Sequence, residues 1–243
     1  MRALRPSARY LVSILLVCAL LSAYAAFRLS KARTYQLFGD LRARVETTQK
    51  IVALTLDDGP TEHTDEVLRV LDAKGIKATF YVIGDRGRTY PGTLKRIVSD
   101  GHELGNHSFT HHRFLLRSPS FVSQEIESTN QVIRDAGYSG QITFRPPYGK
   151  KLIGLPWYLS QHHIKTITCD VEPDTHYPHD AALLKKYALD NVKPGSIILL
   201  HPFCAADCAA AREALPAIID GVRAQGYRFV TMSELLNYDH AGR

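Results

Sequence analysis

The stretch "IVALTLDDGP", residues 51–60, is an apolar run that ends in two adjacent aspartates, a glycine and a proline. Its aliphatic character predicts a buried strand. Gly59 permits a turn that other residues resist, and Pro60 stops the strand ladder, so Asp57 and Asp58 are presented at the strand end. Catalytic groups gather at such ends in parallel α/β folds. The pair is a candidate functional site, and an Asx-type turn capping the next helix is the alternative.

Beyond residue 50, short apolar runs alternate with longer helical stretches. The predicted strands are 51–56, 78–83, 102–105, 142–144, 164–169, 196–200 and 228–231. The predicted helices are 62–74, 91–100, 120–136, 180–191 and 209–225. This succession of βα-like units indicates an α/β fold with a parallel sheet. A closed barrel and an open doubly wound sheet both fit the pattern, and periodicity does not choose between them.

The composition is that of a globular protein, with 243 residues, 45% hydrophobic and 22% charged. The net charge of +6 is unevenly distributed. Residues 1–50 hold nine Lys/Arg and two Asp/Glu, whereas the rest of the chain holds 21 and 22. Because the basic excess belongs to the N-terminal segment alone, the main reason to expect a nucleic-acid partner disappears.

The N-terminal segment is predicted to be a membrane-targeting element. Arg2, Arg5 and Arg9 precede residues 10–27, an uncharged and mostly apolar stretch of borderline length for a bilayer span. It is either an uncleaved signal anchor or a signal peptide cleaved after the small-residue pattern at 23–25, which would leave a secreted protein. In both cases the globular domain lies outside the cytoplasm. The predicted parts are a signal anchor or signal peptide (1–30), a membrane-proximal linker (31–50) and an exported domain (51–238).

The four cysteines fit an exported protein. Cys204 and Cys208 in "CAADC" are close enough in sequence for a local disulfide in an oxidising compartment. A single Cys-x3-Cys is too little for a zinc site. Cys18 falls inside the apolar span, and Cys169 falls in a predicted strand.

A histidine-rich segment, "GNHSFTHH" (105–112), follows the third predicted strand. His107 and His111 are four residues apart, so a helical turn would place both imidazoles on one face, as when two histidines hold one metal ion. Two imidazoles and a carboxylate form a common divalent-metal set that leaves positions open for water and substrate. Asp58 is the candidate third ligand, and two other histidines are alternatives: His102 and His112.

Two further motifs end predicted strands. In "FRPPYG" (144–149), consecutive prolines stiffen the loop and hold Arg145 and Tyr148 in fixed directions. An arginine in such a loop can hold a carboxylate. In "IILLH" (197–201), strand alternation places Leu199 and His201 on one face. A histidine closing such a strand suits proton transfer, although a satisfied core histidine is the simpler interpretation of it alone.

These four motifs, in this order, resemble the polysaccharide deacetylase family, the NodB-like carbohydrate esterases. The matching segments are Thr55–Pro60, His107–His111, Arg145–Gly149 and Leu199–His201. The resemblance spans roughly residues 50–238. It implies the family's distorted (β/α)7-type, TIM-like barrel.

The resemblance also implies a role for each motif residue. Asp58, His107 and His111 bind a divalent metal ion, with Zn²⁺ expected first and Co²⁺, Ni²⁺ or Mn²⁺ as alternatives. Asp57 acts as the general base. His201 acts as the general acid.

The remaining roles concern orientation and substrate. Arg145 orients the base, the Tyr148 backbone amide stabilises the oxyanion, and Leu199 contacts the acetyl methyl group. The chain departs from the family in an acidic segment that usually carries tryptophans, where Cys169 occupies an expected tryptophan position. Glu172 is the expected acidic partner of Arg145, with two alternatives in the same segment: Asp170 and Asp174.

The implied reaction is metal-dependent hydrolysis of N-acetyl groups on amino-sugar residues of an extracellular glycan. Peptidoglycan, a chitin-like oligomer and an exopolysaccharide all fit as the substrate. The alternatives are an O-acetyl esterase acting on a polysaccharide such as xylan, and a non-catalytic glycan-binding module of the envelope.

Overall fold

The structure of the chain is a computed structural model that describes residues 8–204 and 206–239. Residues 1–7, the start of the predicted targeting segment with Arg2 and Arg5, lie outside the described residues. The strands found in the described residues are β1 (Leu41–Arg42), β2 (Ile51–Gly59), β3 (Thr79–Val82), β4 (Glu103–Asn106), β5 (Thr166–Ile167), β6 (Ile197–Leu200) and β7 (Arg228–Val230). The α-helices of the same part of the chain are α1 (Ala8–Ser30), α2 (Thr64–Ala73), α3 (Gly84–Thr89), α4 (Pro91–Ser99), α5 (Pro119–Asp135), α6 (Gly154–Gln161), α7 (Pro173–His176), α8 (Ala181–Asn191), α9 (Ala209–Ala224) and α10 (Met232–Leu236).

Strand β2 is the centre of a five-stranded parallel sheet. It pairs with β3, β6 and β7, and β4 continues the sheet beyond β3. Nearly all residues of β2 are buried, because both faces of the sheet are covered by other parts of the chain. The strand is longer than predicted, because it continues through both aspartates to Gly59 with an irregular register between Asp57 and Gly59. This irregularity turns the two carboxylates apart, so that Asp57 is buried and Asp58 is half-buried.

Further parallel pairing lies beyond β4. Strands β1 and β5 pair with each other. Single parallel bridges join Asn106 to Phe144, Phe144 to Thr166, and Val171 to Ile198. The predicted strand at 142–144 is therefore reduced to a single residue, Phe144, with one bridge on each side, because the two prolines that follow cannot donate to a ladder. The chain thus has an α/β fold with parallel sheets, and closure into a barrel stays a prediction.

The predicted helices are present as α2, α4, α5, α8 and α9, each within two residues of its predicted bounds. One hydrophobic core joins the strands to these helices through buried side chains such as Leu68, Ile97, Leu184 and Ile218. A smaller cluster packs α5 and α6 around Phe144. Helices α3, α6, α7 and α10 were not predicted, since they are short or lack a clear apolar periodicity.

The segment predicted as a linker, 31–50, makes specific contacts with the rest of the domain. It contributes β1, which pairs with β5. The amide of Val45 donates to the carbonyl of Gly195 at 2.9 Å. Gly195 has a φ of +77°, and a β-carbon there would lie 1.8 Å from the Val45 oxygen. The backbone of this segment is therefore fitted closely against the strands.

Helix α1 covers the apolar segment, and its residues 10–25 are exposed. Residues Tyr10–Ser30 are long and apolar enough to cross a bilayer, with a mean hydropathy of 2.2. A cleaved signal sequence has the same apolar character, so the signal anchor and the signal peptide both stay predictions. Cys204 and Cys208 form a disulfide, as the sequence allowed.

Candidate metal centre and active site

One cleft of about 480 Å³ gathers the predicted site residues at the strand ends. All nine of them line it: Asp57, Asp58, His107, His111, Arg145, Tyr148, Glu172, Leu199 and His201. Residues separated by more than 140 positions in sequence therefore lie together. The roles assigned to them remain predictions.

Asp58, His107 and His111 converge on one point. Oδ1 of Asp58 lies 3.4 Å from Nε2 of His107 and 3.2 Å from Nε2 of His111. The two Nε2 atoms are 3.2 Å apart. One ligand atom from each residue lies within 4.8 Å of the others, so the three can share one ion.

The segment that carries the two histidines is a loop and not the helical turn that the spacing suggested. The amides of Phe109 and Thr110 donate to the carboxylate of Glu125 on α5, at 3.0 and 2.9 Å. The amide of His111 donates to the Ser108 hydroxyl, and His111 has a φ of +59°. A buried carboxylate and a left-handed residue therefore bring the imidazoles together, and periodicity could not reveal this.

The hydrogen bonds of this cluster fit a cation. Nδ1 of His107 lies 2.7 Å from the carbonyl oxygen of Arg145, which can only accept, so Nδ1 carries the proton and Nε2 offers a lone pair to the cluster. Oδ1 of Asp58 is buried and has no hydrogen-bond partner among the described residues. A lone pair thus faces an unsatisfied carboxylate oxygen, and a bound cation would satisfy both.

The protonation states also suit metal binding. Burial would raise the pKa of Asp58, but the imidazoles of His107, His201 and His111 lower it well below its usual range. Burial and the neighbouring His107 lower the pKa of His111 to about 4, against the opposing effect of Asp58. At neutral pH the aspartate is therefore ionised and His111 is neutral, as ligands must be.

Asp57 lies beside this cluster and is held by Arg145. The guanidinium Nη1 donates to Oδ1 of Asp57 at 2.6 Å and to the Thr55 hydroxyl at 2.9 Å. Both members of the pair are buried, with exposures of 1% and 3%. The second oxygen, Oδ2, lies 3.6 Å from Nε2 of His107. One oxygen of Asp57 is thus fixed, and the other faces the candidate metal ligands.

The expected pairing of Arg145 with Glu172 is wrong. The other donors of Arg145 bind the backbone carbonyls of Ile167 and Thr168. The three acidic candidates each have a different partner: Arg33 for Glu172, Ser196 and the Ile197 amide for Asp170, and His201 for Asp174. The reason is geometric, because Nη1 of the arginine reaches Thr55 and Asp57 on β2 and the remaining donors bind backbone carbonyls instead of the acidic segment.

His201 is held by Asp174, a residue that the sequence suggested only as a possible partner of Arg145. Oδ2 of Asp174 accepts from the His201 amide at 2.6 Å and lies 3.2 Å from Nδ1. Burial lowers the pKa of His201, but Asp174, and then Asp57 and Asp58, raise it to about 10. Glu172, Asp174 and His201 could also group around an ion. Their pairing with Arg33 and with each other argues against that use.

A family model described as polysaccharide deacetylase matches residues 44–167, about half of the chain. The chain belongs to the polysaccharide deacetylase family. Family membership and the geometry above agree on carbohydrate deacetylation as the class of reaction. Members of this family generally use a divalent metal ion, and the cluster of Asp58, His107 and His111 is a candidate site for one.

Named polysaccharide deacetylases resemble the chain over most of its length. The peptidoglycan-N-acetylglucosamine deacetylase of Bacillus cereus is 31% identical over 186 residues, covering 76% of this chain and 67% of that protein. The bifunctional xylanase/deacetylase of Pseudobutyrivibrio xylanivorans is 36% identical over 194 residues, covering 77% of this chain but only 30% of its own length. A crystal structure of a peptidoglycan N-acetylglucosamine deacetylase has a TM-score of 0.77 at 28% identity, covering 82% of this chain and 95% of the other.

The chain differs from the expected family pattern at the wall of its cleft. Cys169 is buried where a tryptophan was expected, and Nη1 of Arg33 lies 3.5 Å from its sulfur. The same guanidinium pairs with Glu172, and the Arg33 carbonyl accepts from the Thr168 hydroxyl at 2.6 Å. Residues that precede the predicted domain therefore build part of the cleft. The sequence predicted only a membrane-proximal linker over 31–50.

The two predicted substrate-binding residues differ in exposure, because Tyr148 is exposed and Leu199 is buried. Tyr148 has a φ of +57°, is 57% exposed, and its ring lies 4.7 Å from that of His111. Leu199 is 5% exposed and lines the same cleft, two residues before His201 in sequence. An exposed aromatic ring at the mouth and a buried aliphatic side chain inside suit a sugar ring and a methyl group, respectively.

Proposed function

We propose that the protein is a metal-dependent N-deacetylase that removes acetyl groups from amino-sugar residues of an extracellular glycan. The observation that carries the proposal is the convergence of Asp58, His107 and His111 beside Asp57 and His201 in one cleft. A metal-ligand set, a held carboxylate and a protonated imidazole are the groups that hydrolysis of an unreactive amide requires.

Asp58, His107 and His111 would hold the ion, and Zn²⁺ fits two imidazoles and one carboxylate best, with Co²⁺, Ni²⁺ and Mn²⁺ as alternatives. When bound, a divalent cation supplies Lewis-acid chemistry, making water more acidic and a carbonyl more electrophilic. The loop held by Glu125 and the Arg145 carbonyl orients the imidazoles toward this site.

Asp57 is the proposed general base. Arg145 fixes Oδ1 and offsets the negative charge, which leaves Oδ2 to accept the proton of the attacking water. The Tyr148 amide is the proposed oxyanion donor, and the left-handed backbone at this residue sets its direction. Leu199 would contact the acetyl methyl group.

His201 is the proposed general acid, which donates a proton to the departing amine nitrogen. Its raised pKa keeps the imidazole protonated at neutral pH, and Asp174 holds the ring through Nδ1 so that the Nε2 proton is available. Base and acid thus begin in opposite states, as the reaction requires.

The proposed substrate is peptidoglycan, a chitin-like oligomer or an N-acetylglucosamine exopolysaccharide. Similarity to a peptidoglycan-N-acetylglucosamine deacetylase supports the amide substrate. Similarity to a bifunctional xylanase/deacetylase supports a second candidate, hydrolysis of O-acetyl esters on a polysaccharide such as xylan. The same constellation of residues could attack either carbonyl.

The remaining parts of the proposal concern the domain boundaries, the cellular location and the fold. We infer a membrane anchor or signal peptide over 1–30 and a catalytic domain over 51–238 that lies outside the cytoplasm. The run of parallel pairs from β2 through β3, β4 and Phe144 to β5, together with the bridge from Val171 to β6, supports a distorted barrel.

Acetate release from peptidoglycan, chitin oligomers and acetylated xylan, with and without chelator and added Zn²⁺ or Co²⁺, tests the proposal. We expect release from the amide substrates that chelator abolishes and Zn²⁺ restores. Release from xylan alone would favour the ester reaction. No metal-dependent release from any glycan, with binding retained, would refute catalysis.

A further inference from the structure

Three basic side chains crowd the mouth of the cleft. The ammonium groups of Lys31 and Lys150 lie 4.1 and 5.0 Å from the ring of Phe27. The guanidinium of Arg113 lies 4.8 Å from the ring of Tyr148. Lys31, Lys150 and Arg113 are called the cationic rim below. Nothing within the described residues places a carboxylate at ion-pair distance from any of the three.

The two segments that carry the lysines of the rim are joined by hydrogen bonds. The Lys151 amide donates to the Ser30 carbonyl at 2.8 Å, and its ammonium group donates to the carbonyl of Ala32. These contacts join the loop of Lys150 to the segment of Lys31. Both lysines line the same cleft as Asp57 and the candidate metal ligands.

The charges of the rim repel one another. Burial lowers the pKa of Lys150, and the like charges of Lys31 and Arg113 lower it further. The repulsion among cations that have no carboxylate at ion-pair distance is relieved when an anion binds among them. Phospholipid headgroups could supply that anion, because the apolar helix α1 ends directly before Lys31. An acidic glycan in the cleft could supply it as well.

The position of the lysines favours the glycan. A glycan whose acetamido group reaches Asp57 occupies the cleft that Lys31 and Lys150 line. In addition, the wall next to Cys169 carries the charged Arg33 in place of an aromatic surface, so neutral sugar stacking is reduced there.

We propose that the cationic rim binds a carboxylate on a sugar residue neighbouring the reacting acetamido sugar, so that the enzyme selects acidic glycans over neutral ones. The proposal rests on the deacetylase function proposed above. It makes Lys31 and Lys150 specificity-determining residues of the same cleft.

The test compares two forms of one oligosaccharide, an alternating oligomer of N-acetylglucosamine and N-acetylmuramic acid, with free carboxylates or with the same groups as methyl esters. Acetate release by the full chain in neutral detergent with Zn²⁺ gives kcat/KM for each form. We expect the wild type to prefer the free acid. Lys31→Gln and Lys150→Gln should each reduce that preference by about 2- to 5-fold, as for exposed charge pairs. Salt should reduce the wild-type preference through screening.

Lys185→Gln is the matched control, because Lys185 is exposed on α8 and does not line the cleft. It should leave the preference unchanged. Equal kcat/KM for acid and ester in the wild type would overturn the proposal while leaving the deacetylase function intact. So would a rim variant that lowers binding to anionic-lipid vesicles with no change in preference. A wild type inactive on both forms but active on chitin oligomers would also overturn the proposal. Inactivity on every glycan would instead refute the deacetylase function, and calorimetric binding of the two forms to the same variants would then decide whether the rim recognises carboxylate.

Discussion

Asp174→Asn should shift the alkaline limit of activity to lower pH. The variant keeps the size of the side chain and an oxygen that can accept from the His201 amide, but it removes the charge 3.2 Å from Nδ1. That charge is the leading reason why the pKa of His201 rises from 6.5 to about 10 despite burial. An opposite charge at this distance changes a pKa by about 1 to 3 units, which is about 1.4 to 4 kcal/mol.

The direction of the shift in the pH profile follows from the role of His201. The general acid works in its protonated form, so kcat/KM falls as the pH rises through the pKa of His201. Removing Asp174 lowers that pKa, and the falling limb therefore moves to lower pH by about 1 to 3 units. A bound cation would lower the pKa of His201 in both proteins, because it offsets the charges of Asp57 and Asp58, and the difference between the proteins persists.

The measurement is kcat/KM for acetate release from pH 5 to 11 with saturating Zn²⁺. Asp180→Asn is the control, because Asp180 is an exposed N-cap of α8 whose role asparagine performs equally well. The control should reproduce the wild-type profile. An Asp174→Asn profile with an unchanged alkaline limb, or a loss of equal size at every pH, would refute the assignment of His201 as an acid tuned by Asp174.

Three further results are expected. Asp57→Asn should lower acetate release by at least about 10²-fold and lower the free energy of unfolding by about 3–5 kcal/mol, since a guanidinium stays buried without its partner; urea unfolding that matches wild type would contradict the pairing. His111→Ala should weaken Zn²⁺ binding, measured by calorimetry. Losing a hydrogen bond to a metal ligand typically weakens binding by about 10- to 100-fold, and losing the ligand itself should weaken it more. Unchanged affinity would show that His111 is not a metal ligand. Gly195→Ala should lower thermal stability by more than Gly137→Ala, because both residues have positive φ but only the first would meet a backbone oxygen, at 1.8 Å; equal losses would show that the 31–50 segment is not packed there.

The parts of the fold that the sequence predicted are those with local signals. Helices α2, α4 and α5 have apolar periodicity and end before glycines, and their bounds agree closely with the structure. Helix α3 has neither signal, since "GDRGRT" holds two glycines. Gly84 is needed there because a β-carbon would lie 2.5 Å from the ring of Phe109, a contact with a distant loop. Strand β1 is likewise fixed by its partner β5 and has no local pattern of its own.

The same distinction explains what could be predicted of the site. Strand ends carrying Asp57, Asp58 and the two histidines must meet in a parallel fold, so their grouping followed from the sequence pattern. The prediction that Glu172 is the acidic partner of Arg145 was wrong, because the sequence does not show how far the side chain reaches, and in the fold the guanidinium binds Asp57. Asp174 was visible as one of the two alternatives to Glu172, but nothing in the sequence connects it to His201.

Backbone strain at the site gives a reason why its geometry is specific to the folded domain. Asp58, Ser108, His111 and Tyr148 all have a positive φ, between +57° and +73°. Each costs about 1 kcal/mol or more relative to the usual conformations of such residues. Isolated segments disfavour these conformations, so the irregular register of β2 stabilises the one at Asp58 and the hydrogen bonds to Glu125 stabilise those in the histidine loop. Strain concentrated on two candidate metal ligands and the candidate oxyanion donor is expected where the fold orients groups for chemistry at the expense of stability.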